Sequence, residues 1–366
     1  MKRLLCIMNC MDMGGAETFL MKVYRHIDKT KYQFDFAVTA EKPGVYDEEI
    51  RQLGGKIFHI TMKSKNFFKN FNDIKQLVKR EKYNYVIRIS QHSLSAIELL
   101  AAKLGGAKVR IFRSSNSKTA STKKFSLVLP KLCSFMPKCF STVKIAPSTE
   151  AAEFVFGKDC IKNGKAHLLN NGIDTDIFKY SEESRRSIRN EFGIENRLII
   201  VNIGRFNHQK NHSFLLDVFA QILKERSDAI LLLVGKGELE EDIRTKINKL
   251  NLSGNVIITG VRSDVPAILS AADAFIMPSF FEGMPNTIIE AQATGLPCII
   301  SDSITKEANI TGLVKYLPLS NSAEQWANEC LAAVASERKD TKPAFIANKY
   351  DIDSVVNEFI RLVFGD

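Results

Sequence analysis

Leu198-Ile199-Ile200-Val201-Asn202-Ile203 runs directly into Gly204-Arg205-Phe206-Asn207-His208-Gln209-Lys210-Asn211, and the helical pattern Ser213–Glu225 follows. A short β-branched run, a polar loop opened by glycine and then a helix form the start of a βαβ unit, whose crossover returns the chain to a parallel strand. The pattern repeats downstream. Ala229–Val234, Val256–Thr259, Ala274–Met277 and Cys298–Ser301 read as buried strands, and Leu239–Leu250 as another crossover helix. The predicted fold class is α/β with parallel sheets.

Upstream the same alternation occurs. Leu4–Asn9, Gln33–Val38, Lys56–Ile60, Tyr85–Ile89, Val109–Arg113 and Val143–Ala146 read as strands, with helices at Ala16–Ile27, Phe71–Glu81 and Leu94–Leu104. Between the two series, Asp174–Arg197 is polar and without a strand signal, and reads as a linker plus the first helix of a second domain. A chain of 366 residues exceeds what one core usually serves. The expected division is 1–173, 174–350 and a final helical stretch, 351–366, that can pack on either domain, including back on the first. Two such units facing each other leave a cleft at the carboxyl ends of their strands, where open α/β sheets bind ligands.

Composition narrows the functional classes. Hydrophobic content of 45% and charged content of 25% are ordinary for a soluble globular chain. No apolar run approaches the roughly 18 to 20 residues of a membrane span. The apolar start Leu4–Met8 breaks at Asn9, Cys10 and Asp12, so it reads as a first strand and not as a secretory core. Seven cysteines, an odd number without CxxC spacing, fit a reduced cytoplasmic protein with neither a disulfide framework nor a zinc site. The net charge of +10 is uneven: residues 1–180 hold 31 Lys/Arg against 16 Asp/Glu, and residues 181–366 hold 20 against 25. The first half is therefore suited to an anionic partner.

Three loops carry candidate chemistry. Met11-Asp12-Met13-Gly14-Gly15-Ala16-Glu17 joins the first strand to a helix, and its glycines allow close backbone approach at a helix amino terminus. It lacks both GxGxxG and GK[ST] spacing, so a plain turn and a ligand loop both remain open. Arg205 and Lys210 share a strand-to-helix loop and can converge on a diphosphate; the competing reading is a solvated basic loop with Asn211 as the helix cap. Pro278–Ala291 contains Glu282 in a loop, Gly283, Pro285 at a helix start, and Glu290 one turn into that helix. A carboxylate is repelled by pyrophosphate, so each Glu suits sugar hydroxyls, leaving the helix-start N–H groups for phosphate. The alternative has Glu290 complementing the helix dipole and Glu282 at the surface.

Together these strings resemble the retaining glycosyltransferases of the two-Rossmann (GT-B) fold, glycosyltransferase family 4, bacterial exopolysaccharide and capsule type. Gly14-Gly15-Ala16-Glu17, Asn170-Asn171-Gly172-Ile173-Asp174, Gly204-Arg205-Phe206 with Gln209-Lys210-Asn211, Val234-Gly235-Lys236-Gly237, Gly260-Val261-Arg262-Ser263-Asp264, and Glu282 to Glu290 followed by Gly295-Leu296-Pro297 occur in the family's order. The resemblance implies that Arg205 and Lys210 clamp the donor diphosphate, that Glu290 holds the ribose and that Glu282 holds hydroxyls of the transferred sugar. It places Gly204, Gly283, Met284, Pro285, Asn286 and Thr287 around phosphate and sugar, Val261 and Arg262 beside the base, and Gly14 and Gly15 over the phosphates from the first domain. It also implies a nucleotide-sugar donor, UDP-linked by precedent, and a polyprenyl-linked saccharide acceptor, with neither cofactor nor metal. Many relatives carry histidines where this chain has Arg113-Ser114-Ser115-Asn116-Ser117; the nearest histidine is His92, a candidate for donor or acceptor contact, with Ser115 and Asn116 as substitutes.

Two Asp-x-Asp strings, Asp174-Thr175-Asp176 and Asp351-Ile352-Asp353, fit a domain junction and a helix cap better than a metal site. Between Lys123 and Lys144, basic residues alternate with apolar ones, a composition suited either to an anionic membrane surface or to an ordinary amphipathic helix broken at Pro130 and Pro137. The expected location is cytoplasmic, peripheral to the inner face of the cell membrane. Nucleic acid is not an expected partner, since no recognition motif or stacking platform accompanies the basic half. Nucleotide-sugar epimerases and glycogen-type phosphorylases share the fold and are the enzymatic alternatives.

Overall fold

Strand β1 (Lys2–Met8) is buried continuously from Leu4, as a run covered on both faces of a parallel sheet requires. It lies inside a seven-stranded sheet with β2 (Tyr32–Val38), β3 (Ile57–His59), β4 (Tyr85–Ser90), β5 (Val109–Ser114), β6 (Val143–Ala146) and β7 (His167–Leu168). The order is β3-β2-β1-β4-β5-β6-β7 with all pairs parallel. A second sheet holds β8 (Ile199–Ile203), β9 (Ile230–Val234), β10 (Val256–Gly260), β11 (Ala274–Met277), β12 (Cys298–Ser301) and β13 (Val314–Leu317). Its order is β10-β9-β8-β11-β12-β13, again all parallel. Each order reverses once, between β1 and β4 and between β8 and β11. At such a switch point the loops leaving two adjacent strands diverge and leave room for a ligand.

These facts come from a computed structural model that describes residues 1–12, 14–90, 92–115, 135–282, 284–334 and 338–366. The chain divides into two units, one of Met1–Gly172 with Ile352–Asp366 and the other of Ile173–Asp351. The first sheet is sandwiched between two apolar clusters, one around Phe19, Phe34 and Phe359 and the other around Ile74, Leu99 and Phe112. The helix Ile352–Phe364 belongs to the first cluster, where Phe359 meets Phe34 at 5.7 Å between ring centroids and Phe364 meets Tyr32 at 4.6 Å. Gly172 has φ +65, and a side chain there would lie 3.1 Å from Ile352 Cδ1. The left-handed turn and the close approach together call for glycine where the chain leaves the first unit.

In the second unit, helix Glu182–Phe192 is fixed by Arg185 and Arg189, which reach Asp273 at 2.6 and 2.9 Å. The same Asp273 carboxylate accepts from Ile199 N–H at the start of β8. Three differences from the sequence reading have local causes. The helix read as starting at Phe71 begins at Phe67, because Asn66 Oδ1 accepts the Lys69 N–H and supplies a cap that polarity alone obscured. β7 has only two residues, too short to show periodicity, and β13 alternates Lys315 and Tyr316 with its apolar ends. Of the Lys123–Lys144 segment, residues 123–134 lie outside the described residues, and Met136–Phe140 forms a short helix.

Candidate active site

The loop leaving β8 is set by backbone bonds before any side chain acts. Gly204 N–H donates to Val234 O at 3.0 Å, Phe206 N–H to Lys236 O at 3.1 Å, and Leu239 N–H to Phe206 O at 3.0 Å. These contacts lace the end of β8 to the end of β9 and require small residues at the crossings. A Cβ on Gly235 would stand 2.0 Å from Gly204 O, and one on Gly237 would stand 2.3 Å from Phe206 O.

From this platform the chain makes a 3-10 turn, His208–Lys210, capped by Asn207, whose Oδ1 accepts Lys210 N–H at 3.2 Å. Asn211 sits at the N-cap of helix His212–Glu225 in a left-handed conformation but makes no side-chain cap bond. The cap expected of Asn211 is thus made one turn earlier, by Asn207. The turn aims Lys210 back across the switch point. Its stem lies over Gly204, where a Cβ would be 2.9 Å from Lys210 Cε, and its Nζ pairs with Glu282 at 2.8 Å. Both side chains are mostly buried, at 13% and 10% exposure. Gln209 Nε2 donates to Glu282 Oε2 at 3.1 Å and to Phe281 O at 2.9 Å, and Phe280 N–H returns a bond to Gln209 O. The loops after β8 and β11 are therefore joined by Lys210, Gln209 and Glu282. Gln209 was visible in the sequence only as a member of a string; its role depends on the partner loop.

The remaining second-unit candidates are placed as follows. Arg205 is exposed and pairs with Glu238 at 3.1 Å. Pro285 is the N-cap of helix Asn286–Ala293, so Asn286 and Thr287 provide its first turn and Glu290 follows one turn on. Met284 lies against the Tyr350 hydroxyl at 3.9 Å, and Gly283 lies outside the described residues. Val261 is exposed after β10. Arg262 is held by Glu191 at 2.6 Å and Asp264 at 2.7 Å.

In the first unit, Gly14 is the N-cap of helix Gly15–His26, and a Cβ there would come within 2.3 Å of Glu17 Oε2. Glu17 thus folds over its own helix start, and burial raises its carboxyl pKa. His92 caps the short turn Ser93–Ala96 after β4. Burial, then Lys63 and Arg88, lower its imidazole pKa and favour the neutral ring. Behind it, Glu98 pairs with Lys63 at 2.8 Å and Arg88 at 2.7 Å, while Arg88 donates to Ile7 O and Asn9 Oδ1 at the end of β1. Gly14, Gly15 and His92 therefore flank the switch point of the first sheet, as Lys210 and Glu282 flank that of the second. Ser115 ends a described stretch after β5, and Asn116 lies outside it.

The Asp-x-Asp pair at the junction is engaged within the protein. Asp174 Oδ1 accepts the N–H of Asp176 and of Ile177, and Asp176 pairs with Lys342. Among the described residues no group of three His, Cys, Asp or Glu is placed to hold a metal.

His212, directly after the Lys210 turn, is buried edge-to-face against Phe206 at 4.9 Å with neither ring nitrogen hydrogen-bonded. Burial, then the charge of Lys210, push its pKa down to about 4. The unfolded imidazole titrates near 6.5. Between those values the unfolded state binds a proton that the folded state refuses, so stability is lost as pH falls from 6.5 towards 4, by up to about 3 kcal/mol. Urea unfolding of His212→Phe across this window should show a flatter acid limb than the parent; an unchanged limb would remove His212 from the account.

The two sheets, their single order reversals and the ligand-side loops define two Rossmann-like domains of the GT-B fold. Anabaena HepE, solved in complex with UDP, matches that fold with a TM-score of 0.80 at 17% identity over 100% of both chains. Residues 184–350 match the family described as glycosyl transferases group 1. EpsF of Bacillus subtilis (strain 168), a protein assigned to the glycosyltransferases, is 36% identical over 343 residues, 92% of this chain and 89% of its own. The UDP-Gal:α-D-GlcNAc-diphosphoundecaprenol α-1,3-galactosyltransferase of Escherichia coli is 29% identical over 300 residues, 80% of this chain and 70% of that protein. The chain belongs to the glycosyl transferases group 1 family and is a glycosyltransferase. No helix among the described residues is long and apolar enough to cross a membrane.

Proposed function

We propose that this chain is a retaining, metal-independent enzyme of glycosyltransferase family 4 that moves a hexose or N-acetylhexosamine from a UDP-sugar to a lipid-linked or saccharide acceptor, in the synthesis of a bacterial exopolysaccharide or capsule. The observation that carries the reading is the mostly buried Lys210–Glu282 pair spanning the switch point of the second sheet. Lys210 supplies a preorganised cation for the diphosphate as negative charge builds on the leaving nucleotide. Glu282, held by Gln209, accepts hydroxyls of the transferred sugar. Gly204 and the helix start at Pro285, Asn286 and Thr287, with Gly283 and Met284, enclose sugar and phosphate. Glu290 takes the ribose, and Val261 and Arg262 the base.

Arg205 joins the clamp by exchanging Glu238, an exposed partner of little net worth, for phosphate. Gly14 and Gly15 serve the donor phosphates and a neutral His92 the donor sugar or the acceptor; the first domain binds the acceptor. The donor and acceptor classes draw support from the E. coli relative, which uses UDP-Gal and a diphosphoundecaprenol-linked sugar, and the nucleotide from HepE. A lipid-linked acceptor implies a peripheral position at the cytoplasmic membrane surface.

A thermal-shift panel of UDP, GDP and ADP, each with and without EDTA, tests the donor half. UDP at about 100 times its dissociation constant should add roughly 2.7 kcal/mol of stability, insensitive to chelator. A shift with GDP alone overturns the donor assignment, and a shift abolished by EDTA overturns metal independence.

A further inference from the structure

We propose that the first unit docks on an anionic lipid bilayer through Met62, Phe67 and Phe68 and the cationic face of the helix they begin. The inference rests on the lipid-linked acceptor proposed above and specifies where the enzyme meets the lipid.

Helix Phe67–Glu81 turns Asn70, Ile74, Leu77 and Val78 into the core. Its opening residues point the other way. Phe68 is 83% exposed, Phe67 40% and Met62 39%, and the two rings stand edge-to-face at 5.6 Å. Folding alone does not call for this arrangement. A helix start prefers acidic residues in its first turn, and this one has none, with Lys69 in their place. Two adjacent phenylalanines at a helix tip contact each other but leave much of their ring surface open, and such exposure points to a surface that is covered in use.

The charge around them names the partner. Residues 61–82 contain seven Lys/Arg against two acidic residues, Asp73 and Glu81. Both acids are occupied locally, Asp73 by Thr61 N–H and Glu81 by Arg3 and Arg80; Lys63 and Lys65 pair with Glu98 and Glu41, so the surplus charge is that of Lys69, Lys75, Lys79 and Lys82. Apolar side chains at one edge with lysines along the outer face are the composition of a segment lying at a membrane interface. Each cation near an anionic surface adds to the attraction. Two rings and a methionine offer far less than the roughly 800 Å² per partner of a stable protein interface.

Position supports the same occupant. The Met62–Phe68 stretch follows β3, so it lies at the carboxyl edge of the first sheet, the edge from which the loops after β1 and β4 carry Gly14, Gly15 and His92. Lys63, between Met62 and the rings, is tied to Glu98 just beyond His92. A bilayer at this edge leaves the lipid of the acceptor in the membrane while its saccharide reaches those loops.

The test uses the full chain and 100-nm vesicles of equimolar phosphatidylglycerol and phosphatidylcholine, with pure phosphatidylcholine as comparison. The parent should float with the anionic vesicles and bind neutral ones far more weakly. Phe67→Ser with Phe68→Ser, or Phe68→Ser alone, should weaken anionic binding by about tenfold or more while leaving the UDP thermal shift and transfer to a lipid-free saccharide unchanged. In Phe68→Trp, the added indole should shift to the blue and become shielded from acrylamide when anionic vesicles are present; Trp326, fully buried, provides the internal reference. Equal vesicle binding by the serine variants, an indole still open to acrylamide on bound protein, or lipid-free dimers that the serine variants abolish would overturn the proposal. Any of these with the UDP shift intact leaves the donor reading standing; loss of the UDP shift in the parent sinks that reading by itself.

Discussion

Lys210→Ala is expected to slow sugar transfer by roughly 100-fold or more, about 2.7 kcal/mol, the scale seen when one preorganised charge-stabilising donor is removed. Lys210 is poised for this effect. Its stem is pinned over Gly204, its ammonium is mostly buried, and Glu282 fixes it from the opposite loop. Losing the lysine also leaves Glu282 without its cation while Gln209 still holds it in place. Lys210→Arg should rescue little, since the space over Gly204 fits an unbranched stem and the planar guanidinium is larger. Single-turnover transfer, with calorimetry to confirm folding, measures the change. Near-parental turnover in Lys210→Ala would remove the residue from the mechanism.

Among the described glycines, Gly235→Ala should have the largest structural effect of an added methyl. Gly235 has φ +143, and its Cβ would fall 2.0 Å from Gly204 O, a backbone atom that cannot swing aside as a side chain can. The strained backbone and the overlap together should cost about 3 kcal/mol. For a unit of this size that corresponds to a fall in Tm of roughly 6 to 12 °C. Transfer should slow as well, because the displaced Gly204 carbonyl heads the loop carrying Arg205 and Lys210. Gly254→Ala is the matched control: nothing lies within 4 Å of its Cβ position, and its Tm should move little. Equal Tm values for the two variants would contradict the close packing of the β8 and β9 loops.

Much of this architecture was legible because parallel strands buried on both faces leave continuous apolar runs, as at Leu198–Ile203 and Ala229–Val234. Short or mixed strands were not: β7 is two residues long, and β13 places Lys315 and Tyr316 among its apolar positions. The site strings were readable as loops at strand ends. Their pairings were not, because nothing local to Arg205 distinguishes an outward partner such as Glu238 from a ligand, and nothing local to Lys210 announces Glu282, 72 residues further on. Asn207 and Asn211 show the same limit. Either asparagine suits a cap, and only the turn geometry gives the bond to Asn207. His212 carries no signal in composition at all; its low pKa comes from burial behind Phe206 and from the neighbouring Lys210.

The central claim is that Lys210 and Glu282 serve transfer from a UDP-sugar to a lipid-linked saccharide with the anomeric configuration kept. The most direct measurement supplies UDP-galactose, UDP-glucose and UDP-N-acetylglucosamine in turn, with a short-chain polyprenyl-diphosphate saccharide as acceptor and EDTA present, and reads the new linkage by NMR. The expected result is one α-linked product from one of the α-linked donors, formed roughly 100-fold more slowly or worse by Lys210→Ala. A β-linked product, or free sugar released without any glycosylated acceptor, would contradict it.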